Sequence, residues 1–140
     1  MRLFLDANIL VAIINKEYPL FDYASRILSL VNHPKYVVYT SPLCLAIAFY
    51  FAQKKSKATA REKLRILAKN ISITDINDKI MQLALGNNAI HDLEDGIEYY
   101  AAKYADCHVI ITEDIDDFYF SELEVMNSKS FFEKYMIVNK

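Results

Sequence analysis

The chain has 140 residues, 54% hydrophobic and 24% charged, with two Gly, three Pro and a net charge of −2. That length fits a single domain, taken over 1–140, and the composition excludes a disordered, collagen-like or loop-dominated protein. The two cysteines, Cys44 and Cys107, sit inside apolar runs and form no CxxC or Cys/His pattern; they read as buried packing residues in a reducing, cytoplasmic setting.

In chain order, "RLFL" (2–5) is a short apolar run that ends in Asp6, a buried strand delivering a carboxylate to its own carboxyl end. Asn8 to Asn15 follows as a short apolar helix, and Phe21 to Val31 places Phe21, Ala24, Ile27, Leu28 and Val31 at helical spacing. "YVVYT" (36–40) is a second buried strand. The spacing then predicts a helix over Pro42 to Gln53, with Ser41 as N-cap and Pro42 at the first helical position. Its apolar part, Pro42 to Ala52, is read as a buried helix; it falls well short of the roughly 20 residues a membrane span needs. No membrane association is expected, and the first residues lack the pattern of a signal peptide.

Thr59 to Asn70 reads as an amphipathic helix, with Leu64, Ile66 and Leu67 on one side and basic residues elsewhere. "ISIT" (71–74) is a short strand or a connection. Asp75 to Leu85 is a helix begun by a capping acid and stopped by Gly86-Asn87-Asn88. Asp92 to Ala105 is the next helix, "CHVIIT" (107–112) a third clear strand, "LEVM" (123–126) an edge strand and Ser130 to Tyr135 a closing helix. Strands alternating with helices predict an α/β fold, a parallel sheet covered on both faces, in which function gathers at the carboxyl ends of the strands.

Charge is segregated along the chain. Lys54, Lys55, Lys57, Arg61, Lys63, Arg65 and Lys69 face one acid, Glu62, between residues 53 and 70. From Asp92 to Glu124 the acids crowd together and Lys103 is the only Lys or Arg. Such a division suits an anionic partner at one place and a cation at another, although each stretch is also what an ordinary solvated face looks like.

Asp6 follows the first strand, Asp114 follows "VIIT" with one residue between, and Asp92, Glu94, Asp95 and Glu98 crowd the start of the helix before that strand. A lone carboxylate at a buried strand end is poorly solvated, and several together repel one another. A hard divalent cation removes both problems, because oxygen-rich sites suit Mg²⁺ or Mn²⁺. The alternative reading is local: Asp6 as a helix cap, Asp92 and Glu94 as charges favoured by a helix N-terminus, and Asp114 as a turn residue. His91 is read as a loop residue, since no second His lies at a ligating spacing.

"FLDANIL", "EDGIEYYAAKYA" and "VIITEDIDDF", in this order and at this separation, resemble a PIN domain over nearly the whole chain. The resemblance implies a three-layer α/β/α fold whose central, mostly parallel sheet has four to five strands. It also implies a metal-dependent endoribonuclease, a class that includes toxins of toxin/antitoxin pairs. Carried across by position, Asp6, Asp95 and Asp114 match the family's acids, Asn8 and Thr112 match polar positions beside them, and Asp117 with Phe118 matches its closing acid and aromatic pair; Asp92 is taken as a further supporting acid. Mg²⁺ or Mn²⁺ would be the cofactor, RNA the substrate, an antitoxin a protein partner and a homodimer the assembly. The basic stretch, in particular Lys54, Lys55, Lys57, Arg61 and Arg65, would contact phosphates.

One position departs from the family pattern. The acid expected on the helix after the second strand is missing from "SPLCLAIAFYF", where Ile47, or Ala46 beside it, stands in its place. Glu94, Glu98 or Asp117 is left as a spatial substitute, and a weakened or inactive RNA- or protein-binding module is the competing reading. Phosphoryl transfer through Asp6 fits less well, because Asn8 stands where haloacid dehalogenase phosphatases place a second Asp and the strand "YVVYT" offers no acceptor Asp for a receiver domain.

Overall fold

The computed structural model describes residues 1–137; the last three residues of the expected 1–140 unit lie outside the described part. Five strands, β1 (Arg2–Leu5), β2 (Val37–Thr40), β3 (Ser72–Ile73), β4 (Val109–Ile111) and β5 (Glu124–Met126), form one sheet in the order β3-β2-β1-β4-β5. Every pairing is parallel. β1 lies at the centre because its residues are apolar on both faces: Leu3, Phe4 and Leu5 are fully buried, as are Ile110 and Ile111 on the adjoining β4. "ISIT" contributes the two-residue edge strand β3 and "LEVM" the opposite edge β5.

Among the described residues the α-helices are α1 (Ala7–Ile14), α2 (Leu20–Leu28), α3 (Pro42–Lys55), α4 (Lys57–Asn70), α5 (Asp78–Gly86), α6 (Leu93–Tyr104) and α7 (Ser128–Phe131). α1 to α4 pack on one another, α5 and α6 pack together, and α7 meets α2. Right-handed crossovers put the first group and the α5–α6 pair on opposite faces, which makes the three layers. The chain winds outward from β1 to β2 and β3, then returns through α5 and α6 to β4 on the other side of β1. The strand order therefore reverses between β1 and β4, and a crevice opens at their carboxyl ends.

Three local readings need correction. α5 starts at Asp78, not Asp75, because Asn77 takes the cap and accepts from the Ile80 amide at 3.1 Å. The α2 pattern breaks at Leu28 into a 3-10 turn over Ser29–Asn32. α3 is not a buried helix: only the row Cys44, Ala48 and Ala52 is buried, while Tyr50 and Phe51 are exposed. Small residues four apart let α3 lie close on α1, while Leu45, Ile47 and Phe49 pack against the core only in part. No helix among the described residues is long and apolar enough to cross a membrane.

Candidate active site

The parallel register of β1 and β4 builds the centre of the crevice. Leu5 is level with Ile111, so the next residues, Asp6 and Thr112, emerge side by side although 106 positions separate them. The Asp6 amide still donates to the Ile111 carbonyl at 3.0 Å, and the Thr112 amide donates to Met126 on β5, so both residues are pinned by the sheet. Asp6 is 7% exposed and Thr112 fully buried. A buried carboxylate is retained only where donors satisfy it. Asp6 Oδ1 accepts from the Ala7 amide at 2.7 Å, capping α1, and Oδ2 accepts from Thr112 Oγ1 at 2.7 Å. Asp6 is thus a cap and a crevice acid at once.

Thr112 links this acid to the next. Its Oγ1 accepts from Asn8 Nδ2 at 3.1 Å and from the Asp114 amide at 3.0 Å, while the same Asn8 amide group donates to Asp114 Oδ2 at 3.1 Å. Asn8 Oδ1 accepts in turn from the Glu113 amide. One threonine and one asparagine therefore set the loop 112–114 relative to the end of β1. Asp117 follows on a 3-10 turn begun by Asp114, and Phe118 beside it is buried as packing.

A further group of acids comes from the start of α6, whose N-terminus faces the carboxyl edge because the helix runs back against the strands it connects. Asp92 is the N-cap, accepting from the Glu94 and Asp95 amides at 2.9 and 3.4 Å. Asp95 is half-buried in the first turn, and Glu98, one turn further down the same face, is only 2% exposed. The crevice, about 500 Å³, is lined by Asp6, Asn8, Glu17, Asp92, Glu94, Asp95, Glu98, Glu113, Asp114 and Asp117 on its polar side. Val11, Leu20, Ile47 and Phe51 form its apolar side.

Burial and mutual repulsion raise the proton affinity of three of these acids. Burial pushes the Asp95 carboxyl up to about 7, with the charges of Asp92, Asp117, Asp6 and Glu94 adding to it. Burial, followed by the Asp6 charge, pushes Glu98 up to about 10. Asp117 is also raised, by desolvation and then by Asp114. Burial holds the Cys44 thiol well above its usual range, with the charges of Glu98 and Asp6 next; its Sγ donates weakly to Asp6 Oδ1 at 3.9 Å. Cys44, read as packing, packs against the acids themselves.

The expected site residues Asp6, Asn8, Asp92, Asp95, Asp114 and Asp117 all line this crevice, and Thr112 lies directly behind it. The basic residues divide. Lys54 sits over the rings of Tyr50 and Phe51, at 4.5 and 5.7 Å, and Phe51 lines the crevice. Lys55 Nζ donates to the Asn15 carbonyl at the end of α1. Arg61 and Arg65 line a different groove, between α3 and α4, with Leu45, Phe49 and Leu64; Arg61 stacks over Phe49 and Arg65 pairs with Glu62. Lys57 is exposed at the start of α4. The depth of Glu98 was not singled out from sequence, although its three-residue spacing from Asp95 is the signal that carries it.

The protein is thus an α/β/α domain with an acid-lined crevice where its strand order reverses. The chain is a member of the PIN domain family, whose model matches residues 2–116. It is 24% identical over 138 residues to ribonuclease VapC1 of Aquifex aeolicus (strain VF5), covering 96% of this chain and 95% of that one. Its fold is similar to that of VapBC2 from Rickettsia felis bound to a DNA fragment from their promoter, with a TM-score of 0.71 at 23% identity, covering 91% of this chain and 98% of that one. It is likewise similar to the Mycobacterium tuberculosis sarcin-ricin loop cleaving toxin VapC20, with a TM-score of 0.67 at 17% identity over 87% and 98% of the two chains.

Proposed function

We propose that this protein is a divalent-metal-dependent endoribonuclease that uses Asp6, Asp95 and Asp114 to hold Mg²⁺ or Mn²⁺, and that it acts as the toxin of a toxin/antitoxin pair. The observation that carries the reading is the crevice itself, in which acids from β1, α6 and the loop after β4 line one cavity with few donors to balance them. Carboxylate oxygens are what hard divalent cations take as ligands, and a buried Glu98 oxygen that finds no hydrogen-bond partner among the described residues fits a site whose ligands are completed by a cation. The likeness to VapC1, VapBC2 and VapC20 supports the ribonuclease and toxin parts.

When bound, such an ion supplies Lewis acidity toward a phosphate and lowers the pKa of a water at neutral pH. The protein's own part is positioning. Thr112 and Asn8 hold Asp6 and Asp114 in fixed relation, so little reorganisation is needed when charge develops. Ile47, Phe51, Leu20 and Val11 keep one wall of the crevice apolar and limit water there. Lys54, beside Phe51, contributes a phosphate contact at the rim, and Phe51 a face on which a base can stack.

The test is cleavage of single-stranded and structured RNA with Mg²⁺ or Mn²⁺, comparing wild type with Asp6→Asn and Asp95→Asn. Activity in the wild type alone, abolished by chelator, is the expected result. Growth arrest on expression, relieved by Asp6→Asn, is expected for a toxin. Ile47 on the crevice wall favours a second reading, a binding module with a weakened site; equal inactivity of all three proteins at every metal concentration, with retained RNA binding, would establish it.

A further inference from the structure

We infer that Glu98 of α6 is a direct ligand of the divalent cation and supplies the carboxylate that α3 lacks at Ile47. The inference rests on the proposed metal-dependent reading and assigns a ligand to it. Glu98 and Ile47 both line the crevice, from α6 on one side and α3 on the other. The α3 wall therefore meets the acids with a side chain that can offer no oxygen, while α6 sends a second carboxylate in below Asp95.

Glu98 lies against Asp6 and Cys44, and one of its carboxyl oxygens is left without a partner. It is 2% exposed, its Oε2 finds no hydrogen-bond partner among the described residues, and a carboxyl oxygen buried without a partner is costly to retain. Ligand atoms of Asp6, Cys44 and Glu98 lie within 4.8 Å of one another, close enough for one ion to touch the two carboxylates. Of that trio a hard cation such as Mg²⁺ or Mn²⁺ takes the two carboxylates and leaves the thiol unligated. Glu94 and Asp117, the other acids able to stand in for the missing one, are exposed at the rim.

The experiment is Mn²⁺ titration followed by calorimetry and electron paramagnetic resonance on folded wild type, Glu98→Gln, Asp6→Asn and the double variant Ile47→Glu with Glu98→Gln. Loss of a ligand is expected to weaken Mn²⁺ binding by at least about tenfold in Glu98→Gln, and an acid returned to α3 in the double variant is expected to recover part of it. Wild-type affinity in Glu98→Gln alongside weakened binding in Asp6→Asn overturns the assignment of Glu98 and leaves the metal-dependent reading standing. No saturable Mn²⁺ binding by the wild type overturns both. Anomalous scattering from Mn²⁺-soaked wild-type crystals decides the matter without any variant: an ion touching Glu98 supports the assignment, and an ion held by Asp6, Asp95 and Asp114 with Glu98 outside its ligands overturns it.

Discussion

Thr112 Oγ1 donates to Asp6 Oδ2 at 2.7 Å, and the same oxygen accepts from Asn8 and from the Asp114 amide, so a single hydroxyl holds together acids that come from two strands. Replacing it with the isosteric Val removes the hydroxyl and leaves a buried carboxylate oxygen without its donor. Thr112→Val is expected to cost about 2 kcal/mol of stability and, by loosening the acids, to lower RNA cleavage by about 10- to 100-fold. Thr112→Ser should retain most of both. Urea melts and single-turnover cleavage check this, and a Val variant with wild-type activity would show that the hydroxyl positions nothing of consequence.

The protonated acids make metal-free stability depend on pH. The folded-state pKa of Asp95, about 7, lies above its unfolded value near 4, so between these pH values the folded chain keeps a proton that the unfolded chain has released. Stability therefore falls as pH rises through that window, and Glu98 extends the fall toward about 10. Asp95→Asn removes its share of the slope; because Asp95 is only half-buried, the gain near pH 8 is expected to be about 1 kcal/mol after allowance for solvent screening. Thermal melts in chelator near pH 5 and pH 8 test it, and parallel pH profiles for the two proteins would refute it.

RNA affinity should divide along the basic stretch as the structure divides it. Lys54 lies over the ring of Phe51 on the crevice wall, whereas Arg61 and Arg65 line the α3–α4 groove. Lys54→Ala is expected to weaken RNA binding several-fold and to reduce the slope of log affinity against log salt by about 1. Arg61→Ala and Arg65→Ala should each change affinity less. Filter binding across a salt series reads both quantities, and a larger loss at Arg61 than at Lys54 would move the RNA path to the other groove.

Phe4 tests where the core is centred. It is fully buried in β1, level with Tyr39 on β2 and Ile110 on β4. Phe4→Ala is expected to cost about 3–5 kcal/mol through lost burial and an unfilled cavity. A loss below about 1 kcal/mol in a denaturant melt would mean that β1 is not the central strand.

Much of this molecule was legible one residue at a time. "RLFL" and "VIIT" are apolar on both faces because both faces are covered, and an uninterrupted apolar run states that without reference to any neighbour. Ser41 and Asp92 announce helix starts through chemistry that reaches only two or three residues along the chain. Where such signals compete, local reading slipped: Asp75 and Asn77 are both good caps, and Asn77, whose side chain reaches the Ile80 amide, prevails.

Sequence alone determined the alternation of strands and helices, the parallel sheet, and the presence of acids at the ends of two strands and at the head of one helix, because periodicity, caps and strand ends are properties of neighbouring residues; Asp95 was picked out from its neighbours only by the PIN-domain resemblance. Only the tertiary structure decided how deep each acid lies and what it meets. The β1–β4 register joins Asp6 to Thr112 across 106 positions, and the packing of α6 buries Glu98 one turn below Asp95 while leaving Glu94 in solvent. It also divided the basic stretch between a crevice and a separate groove. Desolvation and charge repulsion depend on distances between segments remote in the chain, so the vacancy at Ile47 was readable from sequence, while the carboxylate facing it from α6 came into view only in the folded chain.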